Sequence, residues 1–454
     1  MTLANIRNRT MTRRRVLASL GGGFGALALA DLLCRESAAA SPATHFAPRA
    51  KRVIFLFMSG GPSHVDMLDP KPAIKRYAGQ RPGSVDLRTE RVTGGLLPST
   101  FKFRPGGKSG IEVSDLLPNL RECVDDLCMV RSLFGVNPNH APAANFLFSG
   151  RIDQIHPSLG AWTSYGLGTE NRELPGFVAL SNGGRASRYA RNGYLPGEHQ
   201  GTPIDASVED PEKMVRHLRN QNLPPARQAE QVEFIQRLNA VHLANRKLDA
   251  ALEARIRAME TAYRMQFAAG EAFDVRRENE ATRQEYGTGW FGNACLLSRR
   301  LVERGVRYVH LEHSRWDHHE NLDRDIAKLS EEIDQPIAAL LRDLKRRGLL
   351  EETLVVWGGE FGRTPVSENG NGRDHNHYGF TVWMAGGGVR GGHVHGATDE
   401  FGFRAVEDRV SVHDLHATIL YLLGLDHERL TYRYSGRDFR LTDVEGRVVR
   451  EILA

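Results

Sequence analysis

Six short apolar runs punctuate the chain, at residues 53–58, 128–133, 176–180, 306–311, 353–357 and 381–385. Most show no alternation of apolar and polar positions, which is the pattern of strands buried on both faces of a parallel sheet. Between them lie stretches with apolar residues at helical spacing: 116–126, 143–148, 157–170, 290–304, 322–347 and 411–425. Residues 224–284 are strongly helical and predict a helical insertion over about 207–287 that packs over the sheet. Residues 80–112 are polar and rich in Gly, Pro and Arg, and predict loop with little regular structure. Strands alternating with helices argue an α/β fold: a doubly wound, mainly parallel sheet flanked by helices.

The runs end in a consistent way. The first leads into Ser59-Gly60-Gly61-Pro62-Ser63-His64-Val65-Asp66. The fourth leads into Glu312-His313-Ser314-Arg315-Trp316-Asp317-His318-His319, with four His between residues 310 and 319. The fifth leads into Gly358-Gly359-Glu360-Phe361-Gly362-Arg363, and Arg373-Asp374-His375-Asn376-His377 follows. Chemistry-bearing residues just past a strand fall on the carboxyl edge of the sheet, where α/β proteins hold ligands. Carboxylates with imidazoles are ligands for zinc, manganese or iron. The expected metal ligands are His64, Asp66, Asp317, His319, Glu360, Asp374 and His375. Turn-stabilising roles are an even alternative for Ser63 and Asp66, and capping and solvation an alternative for Asp317 and His319. Arg363 and Arg373 are the expected clamps for an anion, and His140 or His377 the expected proton carrier. His140 stands where Asn137-Pro138-Asn139 runs into a helix, whose free N–H groups favour an anion. The loop 182–205, with Arg185, Arg188, Arg191 and His199, is either a pocket wall or a solvated excursion.

Charge and leader narrow the setting. Thr12-Arg13-Arg14-Arg15-Val16-Leu17, a weakly apolar Gly-rich run and Ala38-Ala39-Ala40 have the form of a cleavable twin-arginine signal over residues 1–40. The expectation is a periplasmic or secreted protein, a single domain over 41–454, without stable membrane insertion once the signal is removed. The whole chain carries +5, and residues 1–40 hold six Arg and two acidic residues, so the remainder is near +1. No basic stripe with interleaved aromatics occurs, and no nucleic-acid partner is expected. Of the four cysteines, Cys34 lies in the leader; Cys123, Cys128 and Cys295 make no disulfide framework.

Several segments, in order, resemble the sulfatase and alkaline-phosphatase superfamily: the first strand, LLPNLRECVDDLCMVRSLF, HAPAANFLFSGR, TLVVWGGEFG and SVHDLHATILYLLGL. GGPSHVDMLDPK, NHAPA, WDHHEN, GGEFGRTP and GRDHNHYGF bring the chain closer to an exported bacterial family, domain of unknown function 1501. The resemblance implies a sulfatase-like α/β fold. It also implies a divalent metal (zinc, manganese, iron or calcium), and hydrolysis of a sulfate or phosphate ester in an anionic small molecule or glycan. The sequence departs from the superfamily at its key positions. His140 stands at the nucleophile position, Ser59 at the first-strand metal Asp, and Glu360 and Phe361 at the later ligand pair. The alternative expectation is therefore a catalytically degenerate shell that binds a sulfated or phosphorylated glycan.

Overall fold

The structure is a computed structural model that describes residues 44–83, 89–153, 156–183, 189–215, 218, 222–245 and 250–454. The expected twin-arginine signal over residues 1–40, Arg185 and Arg188 lie outside the described residues. Residues Thr44–Ala454 form one compact unit.

The strands of the central sheet are β1 (Arg52–Met58), β2 (Leu127–Phe134), β3 (Phe177–Ser181), β4 (Thr202–Asp205), β5 (Tyr308–His313), β6 (Thr353–Gly358), β7 (Phe380–Ala385) and β8 (His393–His395). Their order is β8-β2-β7-β6-β1-β5-β3-β4, and the short strand Val410–Ser411 also pairs with β2. β1 lies parallel between β5 and β6, and β7 runs antiparallel to both β2 and β6. β1 shows why the apolar runs do not alternate. Val53, Phe55 and Phe57 belong to the core on one face, and Ile54, Leu56 and Met58 to the core on the other.

Helices cover both faces. On the first face lie Ala143 and Phe146 of α1 (His140–Ser149), Trp162 of α2 (Leu159–Leu167), and Leu415 and Ile419 of a helix that closes the domain (Val412–Leu422). On the second lie Leu296 of Trp290–Glu303 and Ile333 and Ile337 of Leu322–Arg346.

The structure departs from expectation at the boundaries and in the loops. β5 runs to His313 because its pairing with β1 continues through Met58 opposite His313. Within the expected helical insertion lie the helices Pro225–Asn245, Ala250–Ala272 and Glu280–Tyr286. The expected loop 80–112 holds Phe103–Gly106, which pairs with Ile111–Ser114 as a small ribbon anchored by the buried Ile111 and Val113. The segment after Glu360 is not a loop. Gly362–Glu368 and Gly372–Asn376 form an antiparallel hairpin, with an irregularity between Arg373 and His375. Such bulges re-aim side chains beside functional sites.

Candidate metal centre

The ends of β1, β5 and β6 meet at Gly60. Its N–H donates to both carboxylate oxygens of Glu360, at 3.0 and 3.1 Å. Its φ is +118°, and a Cβ there would lie 2.7 Å from the backbone nitrogen of Asp317. Only glycine lets the Trp316–Asp317 segment approach this closely.

Asp317 is the centre of the cluster. Nε2 of His140 lies 3.3 Å from its Oδ2, and Nε2 of His319 and of His375 lie 2.9 and 3.2 Å from its Oδ1. Arg363 Nη2 donates to Oδ1 at 2.6 Å. The other ring nitrogen of each histidine is held by a different glutamate. His140 Nδ1 lies 2.7 Å from Glu360, His319 Nδ1 2.5 Å from Glu368, and His375 Nδ1 2.8 Å from Glu90. An ionised carboxylate only accepts, so each Nδ1 donates to its glutamate, and Nε2 of His375, hydrogen-bonded to Asp317 Oδ1 at 3.2 Å, donates as well. The Nε2 atoms of His140 and His319 have no hydrogen-bond partner although both are buried; their approach to Asp317 is a contact without the geometry of a hydrogen bond.

Three imidazole Nε2 atoms and a carboxylate thus face one point, and one ligand atom from each of the four residues lies within 4.8 Å of the others. An Nε2 atom and a carboxylate in such contact attract each other only with a proton or a metal ion between them. A carboxylate on the far nitrogen is the arrangement that orients and strengthens a metal-binding histidine. The residues present therefore fit a divalent metal. Without one, the site draws protons instead. Burial disfavours the charged imidazolium of His140, but the carboxylates of Asp317 and Glu360 outweigh it and push His140 up to about 9. His319 is raised against its burial by Asp317 and Glu368. Asp317 is held well below the usual carboxylate range: burial opposes this, but the three histidines and Arg363 prevail.

The remaining expected site residues have other partners. Asp66 and Arg373, both fully buried, form a bidentate pair at 2.8 and 3.1 Å, and Ser63 donates to Asp66 at 2.5 Å. Arg373 also donates to the carbonyls of Thr364 and Leu97. His64 Nε2 lies 2.7 Å from the carbonyl of Gly402. His64 and Asp66 are therefore not brought to the cluster, because backbone and guanidinium groups occupy them. Arg363 donates to the carbonyls of Gly60, Gly61, Trp316 and Arg373 besides Asp317. Arg363 and Arg373, expected as anion clamps, are both fully buried with their guanidiniums on these partners. One pins Asp317 and the strand ends, and the other ties the hairpin to Asp66. Glu360 orients His140. Asp374 accepts from the backbone N–H of Arg91 and of His375, and also lies within ligand reach of Glu90 and His375 and of His319 and Glu368. His377 lies outside the cluster, beside Tyr378.

Glu90 and Glu368 have no sequence signal. Glu90 sits in a polar stretch without periodicity, and Glu368 gains its place only from the hairpin register that sets it opposite Gly372. Phe361 is buried and packs its ring 5.0 Å from His140 and 4.5 Å from His375 as an apolar wall. Of the polar loop, His199 Nδ1 lies 3.1 Å from Ser164 Oγ.

The fold and site define an α/β protein with a carboxylate-supported histidine cluster at the carboxyl edge of a mainly parallel sheet. The chain belongs to the family described as "Protein of unknown function (DUF1501)", whose model matches residues 50–453. No curated protein matches the sequence. Among solved structures, the chain is similar to the PsFucS1 sulfatase from Pseudoalteromonas sp. (12% identity, 84% of this chain and 69% of that one, TM-score 0.36). It is also similar to the lipoteichoic acid synthase LtaP from Listeria monocytogenes (9%, 87% and 76%, TM-score 0.36). A third is the phosphonate monoester hydrolase SpPMH from Silicibacter pomeroyi (12%, 74% and 71%, TM-score 0.35). Family membership rests on the match over residues 50–453, not on these overlays. Among the described residues no helix is long and apolar enough to cross a membrane.

Proposed function

We propose that the protein is a metal-dependent hydrolase of a sulfate or phosphate ester, with His140, Asp317, His319 and His375 as metal ligands. The observation that carries this reading is the set of three Nδ1–glutamate bonds behind three converging Nε2 atoms. Nitrogen-rich donors favour zinc, manganese or iron over calcium, which takes oxygen ligands. The side chains of Asp317 and His140 are 42% and 37% exposed, so the centre is open on one side. Structural metal sites are closed, whereas catalytic ones keep a position for water or substrate. A divalent ion held there supplies a Lewis acid that polarises the ester oxygen and makes water a better nucleophile near neutral pH.

The chain's own residues do the positioning. Glu360, Glu368 and Glu90 fix the tautomer and the aim of the three imidazoles. Arg363 holds Asp317 against the ends of β1 and β5. Phe361 presents an apolar wall that keeps water from one side of His140 and His375. The twin-arginine segment supports export to the periplasm or beyond, with an anionic small molecule or glycan as substrate.

The identity of residue 140 favours a second reading. An imidazole bound to Glu360 stands where the resembled superfamily carries its nucleophile, which suits a shell that binds a sulfated or phosphorylated glycan without cleaving it. Turnover separates the two. Protein loaded with zinc, manganese or iron is assayed on aryl sulfate, phosphate monoester and phosphate diester substrates, beside the Asp317→Asn variant. Metal-dependent release of product by the parent chain alone supports the hydrolase. Metal binding with no turnover of any ester class favours the shell.

A further inference from the structure

The three Nε2 atoms meet at an exposed carboxylate, so the place of Asp317 depends on the chain that leads into it. That chain, His313-Ser314-Arg315-Trp316, leaves the end of β5. The N–H of Ser59 donates to the carbonyl of His313 at 2.9 Å, and the N–H of Trp316 returns to the carbonyl of Ser59 at 3.1 Å. Arg363 donates to the carbonyl of Trp316 at 3.2 Å. Between these ties Arg315 has a φ of +83°. A residue with a long side chain keeps that left-handed conformation only where its surroundings hold it.

A second set of bonds holds the same turn from the helix Leu322–Arg346. Its Glu332 accepts from Arg315 Nη2 at 2.8 and 3.1 Å, and Glu332 Oε2 lies 3.2 Å from Nε2 of His313. The indole N–H of Trp316 donates to Nδ1 of His313 at 3.0 Å. Nδ1 therefore accepts, and the ring proton sits on Nε2 and is donated to Glu332. This is the reverse of the three cluster histidines, whose Nδ1 atoms donate. Burial holds His313 below its ordinary 6.5 against the pull of Glu332, which keeps the imidazole neutral. Trp290 stacks on the ring at 5.5 Å, and Phe291 meets it edge-on at 5.0 Å. A buried indole does not gain such a bond automatically: Nε1 of Trp383, as fully buried as Trp316, has no partner among the described residues.

We infer that Glu332, His313 and Trp316 form a brace that positions Asp317 as a metal ligand, with Arg315 as a second arm onto Glu332. The brace acts through the backbone of Trp316, the residue before Asp317, and its members are positioning residues rather than ligands. The inference rests on the reading of Asp317 as a ligand and adds what sets its place. Metal–ligand bonds of about 2.0–2.2 Å leave little tolerance, and a functional constellation has to be held within about 0.5 Å. Gly60 closes the turn on one side, since a Cβ there would meet Trp316 at 2.8 Å, and the brace closes it on the other.

The test is titration of cobalt(II) into the metal-stripped protein, with affinity read by competition with a chelating dye and coordination geometry by the visible absorption of the bound ion. The variants are Glu332→Ala, Glu332→Gln, Trp316→Phe and, as a control, Ile419→Val, a buried truncation in the core on the opposite face of the sheet. Glu332 is only partly buried, so its variants fold, and a thermal melt checks each protein. Glu332→Ala and Trp316→Phe are each expected to weaken cobalt about 10-fold or more and to change its spectrum. Glu332→Gln keeps an acceptor for the Nε2–H of His313 and is expected to stay within about 3-fold of the parent. Ile419→Val is expected to lower Tm and leave affinity and spectrum unchanged. Parent-like affinity and spectrum in Glu332→Ala or Trp316→Phe would overturn the brace and leave the metal reading standing. So would a Glu332→Gln no better than Glu332→Ala, or the same losses in Ile419→Val. No cobalt bound by the parent would overturn the metal reading and the brace with it.

Discussion

The pair of Asp66 and Arg373 offers a sharp separation between a structural and a metal-binding role. Both side chains are fully buried, and the carboxylate takes two bonds from the guanidinium and one from Ser63. In Asp66→Asn the shape is kept and the charge removed, which strands the guanidinium in the interior. Breaking a buried pair in this way costs about 3–5 kcal/mol. Arg373 retains the carbonyls of Thr364 and Leu97 at 3.1 and 2.8 Å, which places the expected loss toward the lower value. Unfolding entropy of roughly 2.1 cal/mol/K per residue over about 400 residues converts this to a fall of about 4 °C in Tm. The sign with pH follows from the same pair. Burial would raise the Asp66 carboxyl, but Arg373 and Ser63 hold it below its ordinary 3.8. Its stabilisation is therefore present above pH 3.8 and lost as the pH falls below that value. The assay is a thermal melt of parent and variant at neutral pH, with metal content measured on the same folded samples. The expected result is a lowered Tm with unchanged metal per chain. An unchanged Tm with lost metal would refute the structural assignment and restore Asp66 as a ligand.

Three further outcomes are expected. His310 on β5 is fully buried among Phe55, Phe57 and Phe148 with neither ring nitrogen bonded, and burial pushes it down to about 3 from 6.5. Only the unfolded chain takes up its proton as the pH drops below 6.5, so His310→Phe removes a penalty of about 2 kcal/mol at pH 5. The variant's gain in Tm over the parent should therefore be larger at pH 5 than at pH 7.5, and equal gains would contradict the assignment. Glu368→Gln weakens the orienting bond on His319 and is expected to lower metal affinity about 10- to 100-fold, read by competition with a chelating dye; an unchanged affinity would show that Glu368 does not support the ligand. Arg363→Gln releases Asp317 and four carbonyls, and is expected to lower both Tm and metal content; retention of both would remove it from its positioning role.

The fold was legible because its signal is local. Runs such as Val53–Met58, short, apolar without alternation and followed by Gly60-Gly61, have the form of strands covered on both sides. Asp317, His319 and His140 stood out in the sequence because each follows a strand or opens a helix, and strand ends define the binding edge; His375 stood out only for the density of ionisable residues around it. The use made of the arginines was not. An arginine spent on backbone carbonyls is spelled the same as one that clamps a substrate, and only the close approach of Gly60 and Gly61 to Arg363 tells them apart. Glu90 and Glu368 were invisible for a related reason. Each gains its function from a partner far away in the chain, His375 for Glu90 and His319 for Glu368, and the hairpin that aligns Glu368 reads as a Gly- and Asn-rich loop. Glu360, expected as a metal ligand, turns its oxygens to the N–H of Gly60 and to Nδ1 of His140.

The central claim is that three histidines backed by three glutamates hold a metal with Asp317. Elemental analysis of the mature protein, purified without chelators beside its Asp317→Asn variant, tests it most directly. The account predicts about one zinc, manganese or iron per chain in the parent and its loss in the variant, with both still folded. No metal in the parent even after loading with these ions, or equal metal in the two proteins, would contradict it.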